Sequence, residues 1–360
     1  MKIFLEDDEK KIFELIKSHA IKLSCIPRVA GGWVRDKLLG IKSNDIDITI
    51  DNISGENFAK SFADNSNLSF GVIKSNPEKS KHLETVVLQI YNKSIDFISL
   101  RTEDYSDSRI PIIKEGSVEE DAFRRDITIN SLFYNLLTEK VEDYTTKGIN
   151  DLKNKIIRTP LHPLKTFKDD PLRILRVIRF SVKYNFKIDN EIVDTLKNKS
   201  FKKYLIDKVS NERIRIELDK ILNINYTEGI KYMVEYHLIE PIFKYKINID
   251  LRVLDYTEYE LNLYKNEFKD IFCLKLYSIL IFSSFLYKNS YNIDICRESL
   301  KYPKEIINKI QQIEKNFTLF SSSDNLSINS FYKSKKYTEL LQSEINILDE
   351  IKNKVNDIIG

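Results

Sequence analysis

Asp45 and Asp47 stand one residue apart in Asp45-Ile46-Asp47-Ile48-Thr49-Ile50, where polar and isoleucine positions alternate strictly. That alternation is the period-2 pattern of a half-buried strand. Side chains two apart on a strand share a face, with Cα atoms roughly 6.5 Å apart at about 3.3 Å of rise per residue. Both carboxylates therefore converge on one hard cation, while Ile46, Ile48 and Ile50 anchor the strand in a core. Carboxylate oxygens suit Mg²⁺, which takes one or two carboxylates together with substrate phosphates. Upstream, Arg28-Val-Ala-Gly-Gly-Trp-Val-Arg-Asp36 places a Gly31–Gly32 turn directly ahead of the pair. A turn without side chains lets backbone amides approach a triphosphate, and a helix expected to begin near Trp33 aims its positive end there. Metal and phosphate cradle together indicate phosphoryl or nucleotidyl transfer. Each piece alone also has a plainer reading: a solvated strand face for the aspartates, a conformational need for the glycines.

The elements that must position these residues are unevenly spread along the 360-residue chain. Seven of the nine glycines fall at or before Gly148, and only Gly229 and Gly360 follow it. Short alternating strands are expected at Asp45–Ile50, Leu83–Tyr91 and Ile95–Leu100. From about Asp151 onward, long runs with apolar residues three and four apart predict helices. The fold class read from this is α+β, a mixed α/β head followed by an all-α remainder, in two to four domains. Leu319–Asn329 is rich in serine and asparagine and reads as a loop. The net charge is only +3, so a nucleic-acid surface would have to be a local patch. Cys25, Cys273 and Cys296 show no paired spacing, which predicts neither zinc site nor disulfide framework and a reducing compartment. Residues 1–8 are acidic, without the character of a presequence, and no apolar run approaches 18 residues. The expectation is therefore a cytoplasmic protein, with the nucleus as a further compartment, and no membrane partner.

Five further segments follow in order. They are Asn76-Pro-Glu-Lys-Ser-Lys-His-Leu-Glu-Thr85, Ile95-Asp-Phe-Ile-Ser-Leu-Arg101, Asp121-Ala-Phe-Arg-Arg-Asp-Ile-Thr-Ile-Asn130, Val141-Glu-Asp-Tyr-Thr-Thr-Lys-Gly-Ile-Asn-Asp-Leu152 and Thr166-Phe-Lys-Asp-Asp-Pro-Leu-Arg-Ile-Leu-Arg-Val-Ile-Arg-Phe180. With Ser210-Asn-Glu-Arg-Ile214, this order resembles the class II tRNA nucleotidyltransferases, the CCA-adding enzymes. The wording around Arg109-Ile-Pro111 is most similar to fungal and other eukaryotic members. The resemblance is close over about residues 25 to 225. It implies a nucleotidyltransferase-type mixed-sheet head over 1–148, a helical neck over 149–225, a helical body over 226–300 and a tail over 301–360 that contacts tRNA. That tail is expected to be shorter than is usual in the family.

The resemblance also assigns roles. Asp45 and Asp47 would hold two Mg²⁺ ions, and Asp96 aligns with a third catalytic carboxylate; the plainer alternative pairs Asp96 with Arg101. Gly31, Gly32, Arg35 and Asp36 would lie next to the nucleotide, although Arg35–Asp36 also reads as an ordinary first-turn pair. In Arg124-Arg125-Asp126, two guanidinium groups can fork onto phosphate oxygens. By resemblance Asp126 accepts from a ribose hydroxyl, with Asn130 completing the motif; an internal Arg–Asp bridge is the alternative, expected for one of the arginines in any case. Pro171 suits a first helical position and Asp170 an N-cap. By resemblance Asp170 and Arg173 read the Watson–Crick edge of CTP or ATP, while Asp169 stands where the family has glutamate.

Arg173, Arg176 and Arg179 recur every three residues near one helical face, read as a wall of the nucleotide pocket that also meets RNA phosphate; a solvated face is the alternative. Lys202, Lys203 and Lys208, with Arg213 and Arg215, form a candidate phosphate surface. Residues 74–85, including His82, would be the loop that switches C to A incorporation, and 143–148 a hinge turning at Gly148. Ser210–Arg213 is read as structural. The expected activity is addition of CCA to tRNA 3′ ends from CTP and ATP. A poly(A) polymerase or A-adding enzyme of the same family is the alternative, and an inactive RNA-binding protein the alternative from another class.

Overall fold

The computed structural model describes residues 3–66, 70–73, 85–91, 93–105, 112–197, 200–245, 249, 251 and 292–311. The expected switching loop at 74–84 with His82, the 109–111 segment, Cys273, the 319–329 loop and most of the tail lie outside them. The chain divides into two compact units: 1–173 with 184–195, and 174–183 with 196–360.

In the first unit the chain runs α1 (Asp7–Lys22), β1 (Pro27–Ala30), α2 (Gly32–Leu38), β2 (Asp45–Ile50), α3 (Gly55–Ser66), β3 (Phe70–Ile73), β4 (Thr85–Ile90) and β5 (Lys93–Ser99). There follow β6 (Arg101–Asp104), β7 (Ile112–Glu115), α4 (Val118–Phe123), β8 (Leu132–Asn135), β9 (Lys140–Asp143) and α5 (Gly148–Asn154). Seven strands form one mixed sheet in the order β3-β4-β5-β2-β1-β8-β9, and β6 pairs with β7 separately. The α+β reading of the sequence is the fold observed.

β2 occupies Asp45–Ile50, as the alternation predicts, because Ile46, Ile48 and Ile50 each find the core. That core is shared with Ile12, Phe13, Ile16 and Ala20, spaced three and four apart on α1, and with Phe58 and Phe62 of α3. Glu6 and Glu9 start α1 as a capping box. β5 begins two residues earlier than expected, since the β4–β5 hairpin closes through the Ile90–Lys93 pair. Lys93 lies buried there, its Nζ donating to Glu6 at 2.9 Å.

The helical expectation beyond Asp151 holds for α5 and for α6 (Pro163–Asp169), α7 (Arg173–Tyr184), α8 (Asn190–Lys197), α9 (Ser200–Lys208), α10 (Asn211–Glu235) and α11 (Ile239–Phe243). It misses one pairing, the parallel two-residue strands β10 (Ile156–Ile157) and β11 (Lys187–Ile188). Two residues are too few to show an alternation in sequence. In the second unit, Ser210 caps α10 by accepting from the Arg213 amide at 3.4 Å, in keeping with its structural reading. α10 is kinked at Asn225, whose φ of −153° and ψ of 101° leave the helical region.

Candidate active site

Parallel pairing of β2 with β5 sets Asp47 directly beside Asp96, with Asp45 one pleat away on the same face. Asp45 is exposed and the other two are partly buried. Burial, and then the negative charges of Asp96 and Asp45, push the Asp47 carboxyl up to about 6 despite the opposing charge of Arg125. Asp96 is raised for the same two reasons, burial first and Asp45 second, with Ser94 pulling the other way. Arg101, the alternative partner of Asp96, instead bonds Glu103 at 3.0 Å. Asp45 and Asp47, two carboxylates that repel each other on one face, fit a divalent cation, which would relieve the repulsion. Among the described residues no three His, Cys, Asp or Glu side chains are gathered closely enough to enclose an ion. A cation here would complete its shell with substrate oxygens, as Mg²⁺ commonly does.

The glycine turn opens beside this face. Gly31 has φ +68°, in the left-handed region, and caps α2. A Cβ built on Gly31 would stand 2.6 Å from Nη1 of Arg125, and one on Gly32 would stand 3.5 Å from Nη2 of Arg35. Gly31 thus lets a guanidinium lie against the backbone, Gly32 meets Arg35 at ordinary contact distance, and the turn is flanked by two positive charges. Asn130 holds both arginines: its side-chain oxygen accepts from Arg35, and its main-chain oxygen from Arg125 at 3.1 Å. Its amide then donates to Asp126 at 3.0 Å, and Asp126 also accepts from the Ile127 amide. Arg35 donates to Asp36 at 2.9 Å, and both are buried rather than lying on an ordinary first-turn surface.

Both arginines of the Arg124–Arg125 pair, not one of them, enter internal bridges. Asp121 accepts from Arg125 at 2.7 Å and from Arg124 at the end of α4. Burial opposes ionisation of Asp121, but the Arg125 and Arg124 guanidiniums hold its carboxyl below the usual range. Arg124 continues to Glu103 at 3.1 Å, and Glu103 meets Arg173 at 3.5 Å. The Glu103 side chain is buried, yet Arg124, Arg101 and the Tyr105 hydroxyl, with Arg173, keep it below the ordinary carboxylate range. Asp170 accepts from the Leu172 amide at 3.2 Å, so it caps a turn ahead of α7, which begins at Arg173 rather than at Pro171. Pro171 and Leu172 form the turn itself, which the Arg173 amide closes on the Asp170 carbonyl at 3.0 Å. Tyr105, pushed up by burial, also feels the charges of Arg173 and Asp170.

Arg176 and Arg179 fall in the second unit. Arg179 donates to Glu217 at 2.6 Å, and Arg176 reaches the same carboxylate at 3.7 Å. Burial opposes it, but these two arginines and Lys220 lower the Glu217 carboxyl. Lys203 is exposed on α9, Lys208 lies 5.5 Å over the Tyr204 ring, and the Lys202 side chain lies outside the described ones. Gly148 has no left-handed φ; its Cβ would meet the Thr128 oxygen at 2.7 Å, so glycine serves close packing there rather than a turn.

Sequence reasoning passed over Asp121, Glu103, Tyr105 and Tyr184. Asp121 precedes its arginines by three and four residues, a spacing that announces helical ion pairs. Glu103 and Tyr184 are brought in by strand pairing and by the far end of α7, for which no local spacing exists.

A family profile described as "Poly A polymerase head domain" matches residues 27–158, and another, "Probable RNA and SrmB- binding site of polymerase A", matches 185–246. The "CCA tRNA nucleotidyltransferase, mitochondrial" of Candida glabrata is 40% identical over 278 residues, covering 71% of this chain and 52% of that protein. The chain spans about half the length of that relative. The "tRNA nucleotidyltransferase cca1" of Schizosaccharomyces pombe is 36% identical over 361 residues, covering 89% of this chain and 72% of the relative. A solved structure titled "tRNA-processing enzyme (apo form I)" shares the fold, with a TM-score of 0.76 at 22% identity, covering 99% of this chain and 92% of that one. Likeness to cca1 runs through the sheet-bearing and the helical segments alike, and by that extent the chain belongs to the tRNA nucleotidyltransferase and poly(A) polymerase family.

Proposed function

We propose that the protein adds C, C and A to the 3′ end of tRNA from CTP and ATP, with Mg²⁺ as its metal. One observation carries this reading. Ion pairs run from Arg125 through Asp121, Arg124 and Glu103 to Arg173, and the charge of Arg125 acts on Asp47. The carboxylate end of the site is thereby linked electrostatically to the segment that would choose the base. Asp45 and Asp47 would hold the metal, which supplies activation of a terminal hydroxyl and charge for a pyrophosphate leaving group. The Gly31–Gly32 turn, with the Gly31 amide held by the Leu132 carbonyl and with Arg35 and Arg125 beside it, offers the triphosphate the Gly32 amide and two guanidiniums. Asp126, held by Asn130, accepts from the ribose. Asp170 accepts from the exocyclic amine that cytosine and adenine share, and Arg173 donates to a ring acceptor; guanine and uracil present the wrong pattern.

In this reading residues 1–148 are the catalytic head, 149–225 the neck, 226–300 the body and 301–360 the tail on tRNA. Lys202, Lys203 and Lys208 serve phosphate contact, while Glu217 holds Arg176 and Arg179. The compartments to test are the cytoplasm and nucleus, together with the mitochondrion that a relative's name points to.

The test of base choice is Arg173→Ala. Discrimination against UTP and GTP should fall by about tenfold or more, with a smaller change in KM for CTP. Unchanged discrimination would remove the base-reading role. An A-only product from the unaltered protein would favour the poly(A) or A-adding alternative, and no incorporation the inactive RNA-binding one.

A further inference from the structure

Tyr184 closes α7 and lies, with Arg173 at the other end of that helix, in the first unit. Its hydroxyl donates to Oδ1 of Asp36 at 2.9 Å, and the Arg35 guanidinium carbon sits 4.8 Å over its ring. The same Asp36 oxygen accepts from Nε of Arg35 at 2.9 Å. Ring, hydroxyl and carboxylate thus enclose Arg35 on one side, and Asn130 holds it on another. A guanidinium stacked and hydrogen-bonded in this way loses its rotamer freedom before any ligand arrives. Nothing in the spacing of Tyr184 marks it for such a role.

We infer that Tyr184 is a positioning residue for triphosphate binding: it locks Arg35 and Asp36 against the Gly31–Gly32 turn from the far end of the helix that begins with Arg173. The inference rests on the proposed nucleotide site. Because the base is read elsewhere, removing this lock weakens every nucleoside triphosphate alike and leaves base choice intact.

The experiment compares Tyr184→Phe and Tyr184→Leu with the unaltered full-length protein. Steady-state incorporation on a tRNA transcript gives KM and kcat, and equilibrium dialysis gives Kd for CTP, ATP and CMP. Phenylalanine keeps the ring and removes the hydroxyl, so KM and Kd for CTP and ATP should rise together by about tenfold, with kcat within about twofold. Leucine removes the ring as well, so the rise should be larger, while CMP binding stays as it was. Unchanged KM and Kd in both variants would overturn the inference, as would a lowered melting temperature with unchanged nucleotide affinity. A rise confined to CTP or to ATP would overturn it too. Product identity is read separately: if the unaltered protein builds an end other than CCA, the proposed function fails while the dialysis comparison still decides the role of Tyr184.

Discussion

Burying Asp47 beside Asp45 and Asp96 makes its ionised form unfavourable in the folded chain. Its folded-state pKa, about 6, exceeds the ordinary 3.8, so the folded protein binds this proton more tightly than the unfolded chain does. Stability from this group is therefore greatest at low pH and falls as pH rises from about 4 through 6. An amide removes the penalty. Metal-free Asp47→Asn should melt above the unaltered protein at pH 8, and the gap should close as pH falls toward 4. The same variant should incorporate no nucleotide while retaining tRNA binding. A melting difference independent of pH would contradict the electrostatic account, and retained incorporation would contradict the metal assignment. Gly31→Ala addresses the other half of the site. It combines a left-handed φ with a clash on Arg125 and should raise the KM for nucleotide by about tenfold.

At the scale of elements, the register of β2 against β5 and the bend in α10 matter most. Asn225 accepts from the Glu228 amide at 3.0 Å, acting as an N-cap for the helix that restarts after the kink. Asn225→Ala should cost about 1 kcal/mol in chemical denaturation, and no destabilisation would show the cap to be idle. The strand bearing Asp45 and Asp47 was legible because its isoleucines had to alternate to reach the core. Gly31 was legible because its left-handed φ and its close approach to Arg125 call for glycine. What the sequence concealed was set by tertiary structure. Asp47 meets Asp96 only when β2 and β5 pair, and Glu103 meets Arg124 and Arg173 only once β6 is laid beside α4 and the start of α7. Arg176 and Arg179 share the helical spacing of Arg173, yet a buried Glu217 on α10 claims them. Spacing fixes a face, and the partner decides what that face meets.

For the whole molecule, a net charge of +3 over 360 residues leaves RNA affinity to local patches. Lys203 and Lys208 on α9 are the described lysines of the expected patch. A Lys203→Glu, Lys208→Glu variant should bind tRNA more weakly and lower the salt slope by about 0.7–0.9 for each phosphate no longer neutralised. An unaltered slope would place the RNA elsewhere. In the proposed reaction one site, without a nucleic-acid template, writes a fixed three-nucleotide end. That reaction is tested most directly by sequencing the products of the purified protein with Mg²⁺ on tRNA transcripts ending before CCA, after C and after CC. All three should converge on CCA and stop when CTP and ATP are both present. A long A tail, an end completed only from the CC transcript, or no product at all would contradict it.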